Sequence, residues 1–270
     1  MTIKNKVLVI TGGGNGIGRE MALNLLSKGA RVAAVDIDQD GLDETEALAG
    51  SNSDQISKHN ADITNREVVA ALPEAVIKAH GQVDGLINNA GIIQPFVKIE
   101  KLAFDAIDRV MDINFNGTVN MTKAFLPQLL KRPEAYIVNI SSMGGFLPVP
   151  GQGIYGASQA AIALLSQALY AELTNTGIHV MLVYPGAVGT EIAARSGVDV
   201  EEMLGEGDGT SSFKPLPASQ AADMIINGMV NKRFQVLVGK DARFMNFLYR
   251  LSPKFATNYI TRQMGSLLKE

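Results

Sequence analysis

Short, uninterrupted apolar runs alternate with amphipathic segments along most of the chain, and this alternation constrains the fold most strongly. The first run is Val7-Leu8-Val9-Ile10. A strand is apolar at every position when both faces of its sheet are covered. The runs predict strands near residues 7–10, 31–35, 55–60, 83–88, 136–140, 178–183 and 234–238. The segments between them predict helices near residues 17–28, 39–49, 65–79, 105–131, 154–174 and 219–231.

Strands that alternate with helices predict a parallel sheet with right-handed crossovers. We therefore expect an α/β fold with a doubly wound, seven-stranded parallel sheet of the Rossmann type. The chain has 270 residues, of which 46% are hydrophobic and 19% charged, so one large core can form. We expect a single domain over residues 1–240, followed by an amphipathic helical tail over residues 241–270.

Composition excludes several classes of function. The net charge is −3 without a block of like charges, so the basic patch of a nucleic-acid-binding protein is missing. The chain contains no cysteine, which excludes disulfides and thiolate chemistry. His59, His80 and His179 lack metal-ligand spacing, and no G-x-S-x-G motif of hydrolases occurs. The N-terminus lacks the pattern of a signal peptide and no apolar run is long enough to span a membrane, so we expect a cytoplasmic protein.

A glycine-rich turn joins the first predicted strand to the first predicted helix. Its glycines at positions 12, 16 and 18 would let main chain approach a dinucleotide diphosphate at the positive end of a helix dipole. A tight connection without a ligand is the alternative. A P-loop is excluded because Arg19 and Glu20 replace the lysine and hydroxyl residue that it needs.

Asp36 ends the second predicted strand. A carboxylate at this position can accept hydrogen bonds from both hydroxyls of an adenosine ribose, and it would repel a 2′-phosphate. No arginine or lysine directly follows it, which favours NAD over NADP. A solvated aspartate at a strand end is the alternative interpretation.

From residue 5 to about residue 240 the chain resembles the short-chain dehydrogenase/reductase family. Besides the glycine-rich turn, the motifs that carry the resemblance are Asp62-Ile63, Asn88-Asn89-Ala90-Gly91, Asn114, the strand ending at Ser141-Ser142, Tyr155, and the loop Tyr184-Pro185-Gly186-Ala187-Val188-Gly189-Thr190. They occur in the family's order, and Tyr155 follows Ser142 at the family's usual separation.

The resemblance implies an NAD-dependent oxidoreductase that transfers hydride between the nicotinamide and a carbonyl or alcohol carbon. It implies catalytic roles for Ser142, which would bind the substrate oxygen, Tyr155, which would be the general acid or base, and Asn114, which would hold a helix backbone and a water. Gln159 completes the catalytic set. The implied cofactor-binding residues are Gly12, Gly14, Asn15, Gly16, Ile17, Asp36, Asp62, Ile63, Asn88, Ala90, Gly91, Tyr155, Gln159, Pro185, Gly186, Val188 and Thr190.

Position 159 departs from the family, which has a lysine there, one helical turn after the tyrosine. Gln159 can hydrogen-bond ribose hydroxyls, but it cannot lower the pKa of a phenol by charge. We therefore expect retained NAD binding and a turnover reduced by about 10²- to 10⁴-fold. An engineered replacement, a natural variant with weak or rerouted activity, and a natural non-catalytic NAD-binding or regulatory protein would each account for this residue.

Apolar residues follow two of the predicted strands where substrates bind in this fold. They are Ile92, Ile93, Pro95, Phe96 and Val97, then Met143, Phe146, Leu147, Pro148 and Val149. They predict an apolar secondary alcohol or ketone as substrate, unless they only pack against one another. The loop over about 190–217 is the expected lid, because its glycines suit it to move.

The tail has apolar residues at helical spacing with basic residues among them: Phe244, Phe247, Leu248, Leu251 and Phe255, with Arg243, Arg250, Lys254 and Arg262. Pro253 should divide it into two helices. We expect it to cover a core, a pocket or a subunit interface, and contact with a membrane surface is the alternative. Since family members assemble through their long helices, the resemblance also implies a homodimer or homotetramer.

Overall fold

The computed structural model describes residues 3–198 and 215–264. Its strands are β1 (Val7–Thr11), β2 (Arg31–Asp36), β3 (Ile56–Asn60), β4 (Gly85–Asn88), β5 (Ala135–Ile140), β6 (Ile178–Pro185), β7 (Val188–Gly189), β8 (Leu216–Pro217) and β9 (Gln235–Val238). Its α-helices are α1 (Gly16–Ser27), α2 (Gln39–Ala49), α3 (Arg66–His80), α4 (Phe104–Met111), α5 (Gly117–Leu129), α6 (Gly153–Glu172), α7 (Ile192–Arg195), α8 (Ala218–Val230), α9 (Lys240–Leu251) and α10 (Pro253–Met264).

Seven parallel strands form the main sheet in the order β3-β2-β1-β4-β5-β6-β9, and β7 pairs with β8 in a small separate sheet. The predicted fold class, a Rossmann-type α/β domain with a seven-stranded parallel sheet, is confirmed. The ends of the predicted strands differ from the observed ones by at most two residues.

Both faces of the sheet are buried, which explains the uninterrupted apolar runs. Leu8 and Ile10 point into an apolar layer shared with α1 and α8, whereas Val7 and Val9 point into a second layer shared with α3, α5 and α6. Successive side chains of a strand alternate between faces. Each run therefore contributes to two cores at once.

The long helix predicted over residues 105–131 is interrupted. A π-helical turn at Asp112–Asn116 separates α4 from α5. Asn114 lies in this turn and is fully buried, and its amide side chain hydrogen-bonds to both main-chain groups of Ile92. Such turns occur frequently at functional sites. No periodicity of apolar residues signals an extra residue in a turn, so the interruption was not predicted.

At the amino ends of the strands, one buried carboxylate joins three elements. Asp84 is fully buried and accepts hydrogen bonds from the main-chain N–H of Val7 at 2.9 Å, from Gln82 Nε2 at 2.7 Å and from Arg132 Nε at 2.8 Å. The first of these partners begins β1, and Arg132 follows α5. Charge-assisted hydrogen bonds therefore hold the amino ends of these strands, which lie opposite their carboxyl ends.

The tail forms two helices, α9 and α10, with Ser252 between them. Met245, Ala256 and Ile260 on their inner faces are buried against Leu147, in the segment after β5. Their outer faces expose apolar side chains, namely Phe244, Phe247, Leu251 and Phe255. The tail therefore covers a segment that borders the carboxyl ends of the strands.

None of the helices within residues 3–198 and 215–264 has both the length and the apolar character needed to cross a membrane.

Candidate functional site

A cleft of about 970 Å³ lies at the carboxyl ends of the strands. It opens where the strand order reverses between β1 and β4, the usual ligand position in open parallel sheets. Most residues that the sequence assigns to cofactor binding or catalysis line this cleft: Gly12, Asn15, Gly16, Ile17, Asp36, Asp62, Ile63, Ala90, Gly91, Ser142, Tyr155, Gln159, Pro185, Gly186, Val188 and Thr190.

The glycine-rich turn brings the start of α1 to the cleft. Gly12 and Gly16 have positive φ angles of 67° and 52°, where a side chain would strain the backbone. A Cβ atom on Gly18 would lie 1.9 Å from the carbonyl oxygen of Gly12. These glycines therefore let the helix pack closely against the turn, so that its free N–H groups face the cleft.

Two buried polar atoms in the cleft wall have no hydrogen-bond partner within the described part of the chain. They are Nδ2 of Asn15, next to the start of α1, and Oε1 of Gln159. Buried polar atoms are normally paired, so each of these atoms calls for a ligand. A dinucleotide fits both, because it supplies phosphate and hydroxyl oxygens to a donor and ribose hydroxyls to an acceptor.

Asp36 lies at the mouth of the cleft. Its Oδ2 accepts a hydrogen bond from Gly14 N at 2.9 Å and its Oδ1 from Asp38 N at 3.1 Å. A carboxylate has about four acceptor sites, so capacity remains for ligand hydroxyls. The carboxylate therefore stabilises the glycine-rich turn and also faces the ligand space.

Three residues of the predicted site do not line the cleft. Gly14 faces Asp36, to which it donates its N–H. Asn88 is buried in the sheet, where its Nδ2 donates to Thr122 Oγ1 at 3.1 Å and Asn139 Oδ1 at 2.8 Å. These bonds brace β4 against β5 and α5, and the cofactor-binding role of Asn88 stays a prediction.

Asn114 is the third. Its Oδ1 accepts from Ile92 N at 2.9 Å, and its Nδ2 donates to Ile92 O and to Ser158 Oγ, each at 3.0 Å. It holds the loop after β4 against α6 from behind the cleft wall. It does not contact the ligand space directly.

Ser142, Tyr155 and Gln159 meet at the floor of the cleft. Burial raises the pKa of the Tyr155 phenol, and a hydrogen bond with the Ser142 side chain acts in the opposite direction. Ser142 Oγ also accepts from Gly144 N at 3.0 Å. Gln159 lies one helical turn after Tyr155 on α6 and is buried. Two hydroxyl residues and an amide residue thus line the same cleft, and such groups can bind an oxygen atom and transfer a proton.

Among the described residues that line the cleft, the cationic side chains are Arg109 and Arg195, and no lysine is present. Arg195 lies on α7, and its Nη1 is 2.5 Å from Oδ2 of Asp38, which precedes α2. This ion pair joins two segments that both border the cleft, α7 on one side and the start of α2 on the other.

The apolar residues after β4 and β5 divide between two environments. Ile92 lines the cleft, whereas Met143, Phe146 and Leu147 pack against α9 and α10. The second group therefore packs against other apolar residues, which was the alternative to substrate binding. Most of the predicted lid, residues 199–214, lies outside the described residues.

Sequence reasoning missed two features of the site. It named the apolar residues around Gln94 but not this buried amide, which bonds to the start of α6. It also missed the pair between Arg195 and Asp38. Charge alone gives no signal for either, since both depend on contacts between distant parts of the chain.

Comparisons with known proteins agree with this geometry. The family model described as short chain dehydrogenase matches residues 6–200. The putative oxidoreductase SadH of Mycobacterium tuberculosis is 36% identical over 260 residues, covering 93% of this chain and 92% of that protein.

Two solved structures share the fold. A short chain dehydrogenase/reductase from Burkholderia phymatum in complex with NAD is 27% identical, has a TM-score of 0.84 and covers 94% of this chain and 96% of that one. A short chain dehydrogenase from Burkholderia cenocepacia J2315 in complex with NADP is 24% identical, has a TM-score of 0.79 and covers 96% and 99%. By its family model, its relative and its site, the chain belongs to the short-chain dehydrogenase family and is an oxidoreductase.

Proposed function

We propose that the protein is an NAD-dependent dehydrogenase that interconverts an apolar secondary alcohol and the corresponding ketone, and that Gln159 makes it slow. The observation that carries this proposal is that Ser142, Tyr155 and Gln159 line one cleft, with Oε1 of Gln159 buried and without a partner among the described residues. Tyr155 would transfer the proton and Gln159 would bind the ribose. The positive charge of a lysine, which would lower the pKa of the tyrosine, is missing at position 159.

The cleft offers a place for each part of NAD. The start of α1 with Asn15 would hold the diphosphate, and Asp36 would accept from the adenosine ribose hydroxyls. Asp62 and Ile63 would contact the adenine. Gln159 would accept a hydrogen bond from the nicotinamide ribose. Val188 and Thr190 would hold the nicotinamide amide. The cofactor, when bound, supplies the carbon atom that accepts or donates the hydride.

Tyr155 would transfer the proton. In alcohol oxidation its hydroxyl must lose a proton before it can accept one from the substrate, whereas in ketone reduction it donates one. Ser142 would hydrogen-bond the substrate oxygen and stabilise the charge that develops there. Because burial raises the pKa of Tyr155 and no lysine lies in the described cleft wall, the phenolate is scarce at neutral pH.

The absence of lysine from the described cleft wall also favours a second candidate, a protein that binds NAD as a regulatory ligand without turnover. Titrating the purified protein with NADH and following nucleotide fluorescence tests what both candidates share. A Kd in the micromolar range supports them. Absence of binding at millimolar NADH would contradict both.

Restoring the charge separates the candidates. We expect Gln159→Lys to raise kcat with NAD and a panel of apolar secondary alcohols by about a hundredfold, within the range of general acid–base effects. The matched control is the same lysine variant with Tyr155→Phe, which should lose this gain. Absence of turnover in the lysine variant, with NADH still bound, would support the non-catalytic candidate.

We also propose a cytoplasmic homodimer or homotetramer. Large apolar side chains are exposed within the two segments predicted to pair, with Phe104 on α4 82% exposed and Leu164 on α6 69% exposed. Such exposure favours burial by a second copy. Sedimentation equilibrium tests this assembly, and Leu164→Glu should shift it towards monomer.

A further inference from the structure

A buried amide side chain bonds to the start of α6, the helix that carries Tyr155. Gln94, in the loop after β4, is 1% exposed. Its Oε1 accepts hydrogen bonds from the main-chain N–H of Ile154 at 2.8 Å and of Tyr155 at 3.0 Å. The second of these groups belongs to the tyrosine of the proposed site.

This contact replaces a local helix cap. The first N–H groups of a helix have no partner within the helix, and a side chain just before it usually satisfies them. The residue before α6, Gln152, makes no such bond with its own side chain. Gln152 instead donates its Nε2 to the carbonyl oxygen of Gln94 at 2.7 Å, and Gln94 Nε2 donates to Gly151 O at 2.8 Å.

The loop that carries Gln94 is held on several sides. Ile92 bonds to Asn114, and the N–H of Ile93 donates to Ser196 Oγ, just after α7, at 3.0 Å. Gln94 therefore extends from a loop whose neighbouring residues are anchored to the π turn and to the segment after α7. Its bonds to Ile154 and Tyr155 therefore hold the start of α6 in a fixed position relative to this loop.

We propose that Gln94 is a positioning residue for Tyr155: by accepting both N–H groups at the start of α6, it fixes where the phenol hydroxyl meets Ser142. The inference rests on the proposed function, because positioning has a catalytic meaning only if Tyr155 transfers a proton. Without the acceptor, two buried N–H groups lose their partner and the first turn of α6 loosens. Misplacement of a reacting group by about 1 Å can cost about a hundredfold in rate.

Two substitutions of similar size distinguish the effect of the hydrogen-bond acceptor of Gln94 from the effect of its side-chain volume. Gln94→Met fills the space without an acceptor and without the Nε2 donor to Gly151 O, whereas ionised Gln94→Glu lacks only that donor and keeps oxygen atoms that accept from the helix N–H groups. In the Gln159→Lys background, we expect Gln94→Met to lower kcat about 10- to 100-fold while KM for NAD changes less than about twofold. Gln94→Glu should retain kcat within about threefold, and this rescue would not follow from a loss of packing.

Gln152→Met serves as the matched control, because it removes a buried hydrogen bond to the main chain of Gln94 and leaves the bonds to Ile154 and Tyr155 in place. Its effect on kcat should be much smaller. Equal losses of kcat in Gln94→Met and Gln152→Met, or an unchanged kcat in Gln94→Met, would overturn the proposal.

Hydrogen exchange at the start of α6 gives a readout that needs no activity. In the protein with its own Gln159, Gln94→Met should speed exchange of the Ile154 and Tyr155 amides about tenfold or more, and Gln94→Glu should not. If the lysine variant proves inactive while these amides respond as expected, the proposed function fails and the cap stands. If exchange is unchanged in a folded Gln94→Met protein, the cap itself is refuted.

Discussion

Asp36 both supports the glycine-rich turn and faces the ligand, and its charge bears on the choice of cofactor. We expect Asp36→Asn to weaken NAD binding about tenfold, the effect of losing a charged hydrogen-bond acceptor. The ratio of NADP to NAD affinity should rise, because the repulsion of a 2′-phosphate is removed. Titration of both nucleotides measures this ratio.

Asp54→Asn is the control, because Asp54 is exposed, does not line the cleft, and within residues 3–198 and 215–264 bonds only to its neighbour Gln55. It should leave both affinities unchanged. An unaltered ratio in Asp36→Asn would argue against an adenosine ribose beside this carboxylate.

The phenol of Tyr155 should make oxidation strongly dependent on pH. Burial raises its pKa, so the deprotonated form needed as a base grows as the pH approaches that raised value. Below that value, kcat/KM for alcohol oxidation should rise about tenfold per pH unit and reach no plateau near neutrality. A lysine at position 159 favours the phenolate, so Gln159→Lys should move the plateau to lower pH. Identical profiles in the two proteins would contradict a proton-transferring role for Tyr155.

Asp36 and Tyr155 could be predicted because each lies in a short motif with a characteristic position along the chain. Gln94 could not, since its partner Ile154 is 60 positions away and an isolated glutamine in an apolar loop has no pattern. Asn88 and Gly14 belong to such motifs too, yet neither lines the cleft in the structure. A motif shows that residues occur together, but the local backbone decides which of them faces the cleft.

At the scale of elements, the pair between Arg195 and Asp38 joins α7 to the segment before α2. We expect Arg195→Gln to speed NAD dissociation about two- to fivefold, the range for an exposed ion pair, and high salt to reduce the difference. Stopped-flow displacement of NADH measures the rate. A salt-independent effect would point to another cause.

Glu191→Gln is the matched control, because Glu191 also pairs with Arg195 but lies on the same segment. It should change dissociation little. The hydrogen bond from Arg195 lowers the pKa of Asp38, so the pair persists above that lowered value and is lost as the pH falls through it. Dissociation from the unaltered protein should therefore approach that of Arg195→Gln only in acid.

Elements themselves are largely predictable from apolar periodicity, with one exception of consequence. The π turn at Asp112–Asn116 places Asn114 where it can hold Ile92, and it depends on that tertiary contact more than on local preference. The pattern of apolar residues alone does not reveal such a turn. Sequence alone therefore predicts the helix but not its interruption.

For the whole molecule, Asp84 links the amino ends of β1 and β4 to the segment after α5, at the end of the sheet opposite the cleft. We expect Asp84→Ala to lower the free energy of unfolding by about 3–5 kcal/mol, because Arg132 and the N–H of Val7 lose a buried partner. Urea denaturation measures this change. NADH affinity of the remaining folded protein should stay the same, since the cleft lies at the other end of the strands.

Asp223→Ala is the control, because Asp223 is exposed, pairs at 3.9 Å with Lys28 and accepts a hydrogen bond from Asn24 on the surface. Its effect should stay below about 0.5 kcal/mol. A comparable loss in both variants would show that the buried network contributes no more than an ordinary surface contact.

The hairpin of α9 and α10 covers a segment that lies far earlier in the chain, between β5 and α6. During synthesis the ribosome releases β1 to β6 before the two helices that cover Leu147. We therefore expect a nascent chain to form most of its sheet before the segment around Leu147 is covered. Chaperones and proteases would meet an exposed apolar segment in that interval. A chain truncated before α9 should therefore be degraded faster than the full chain, although its sheet is intact.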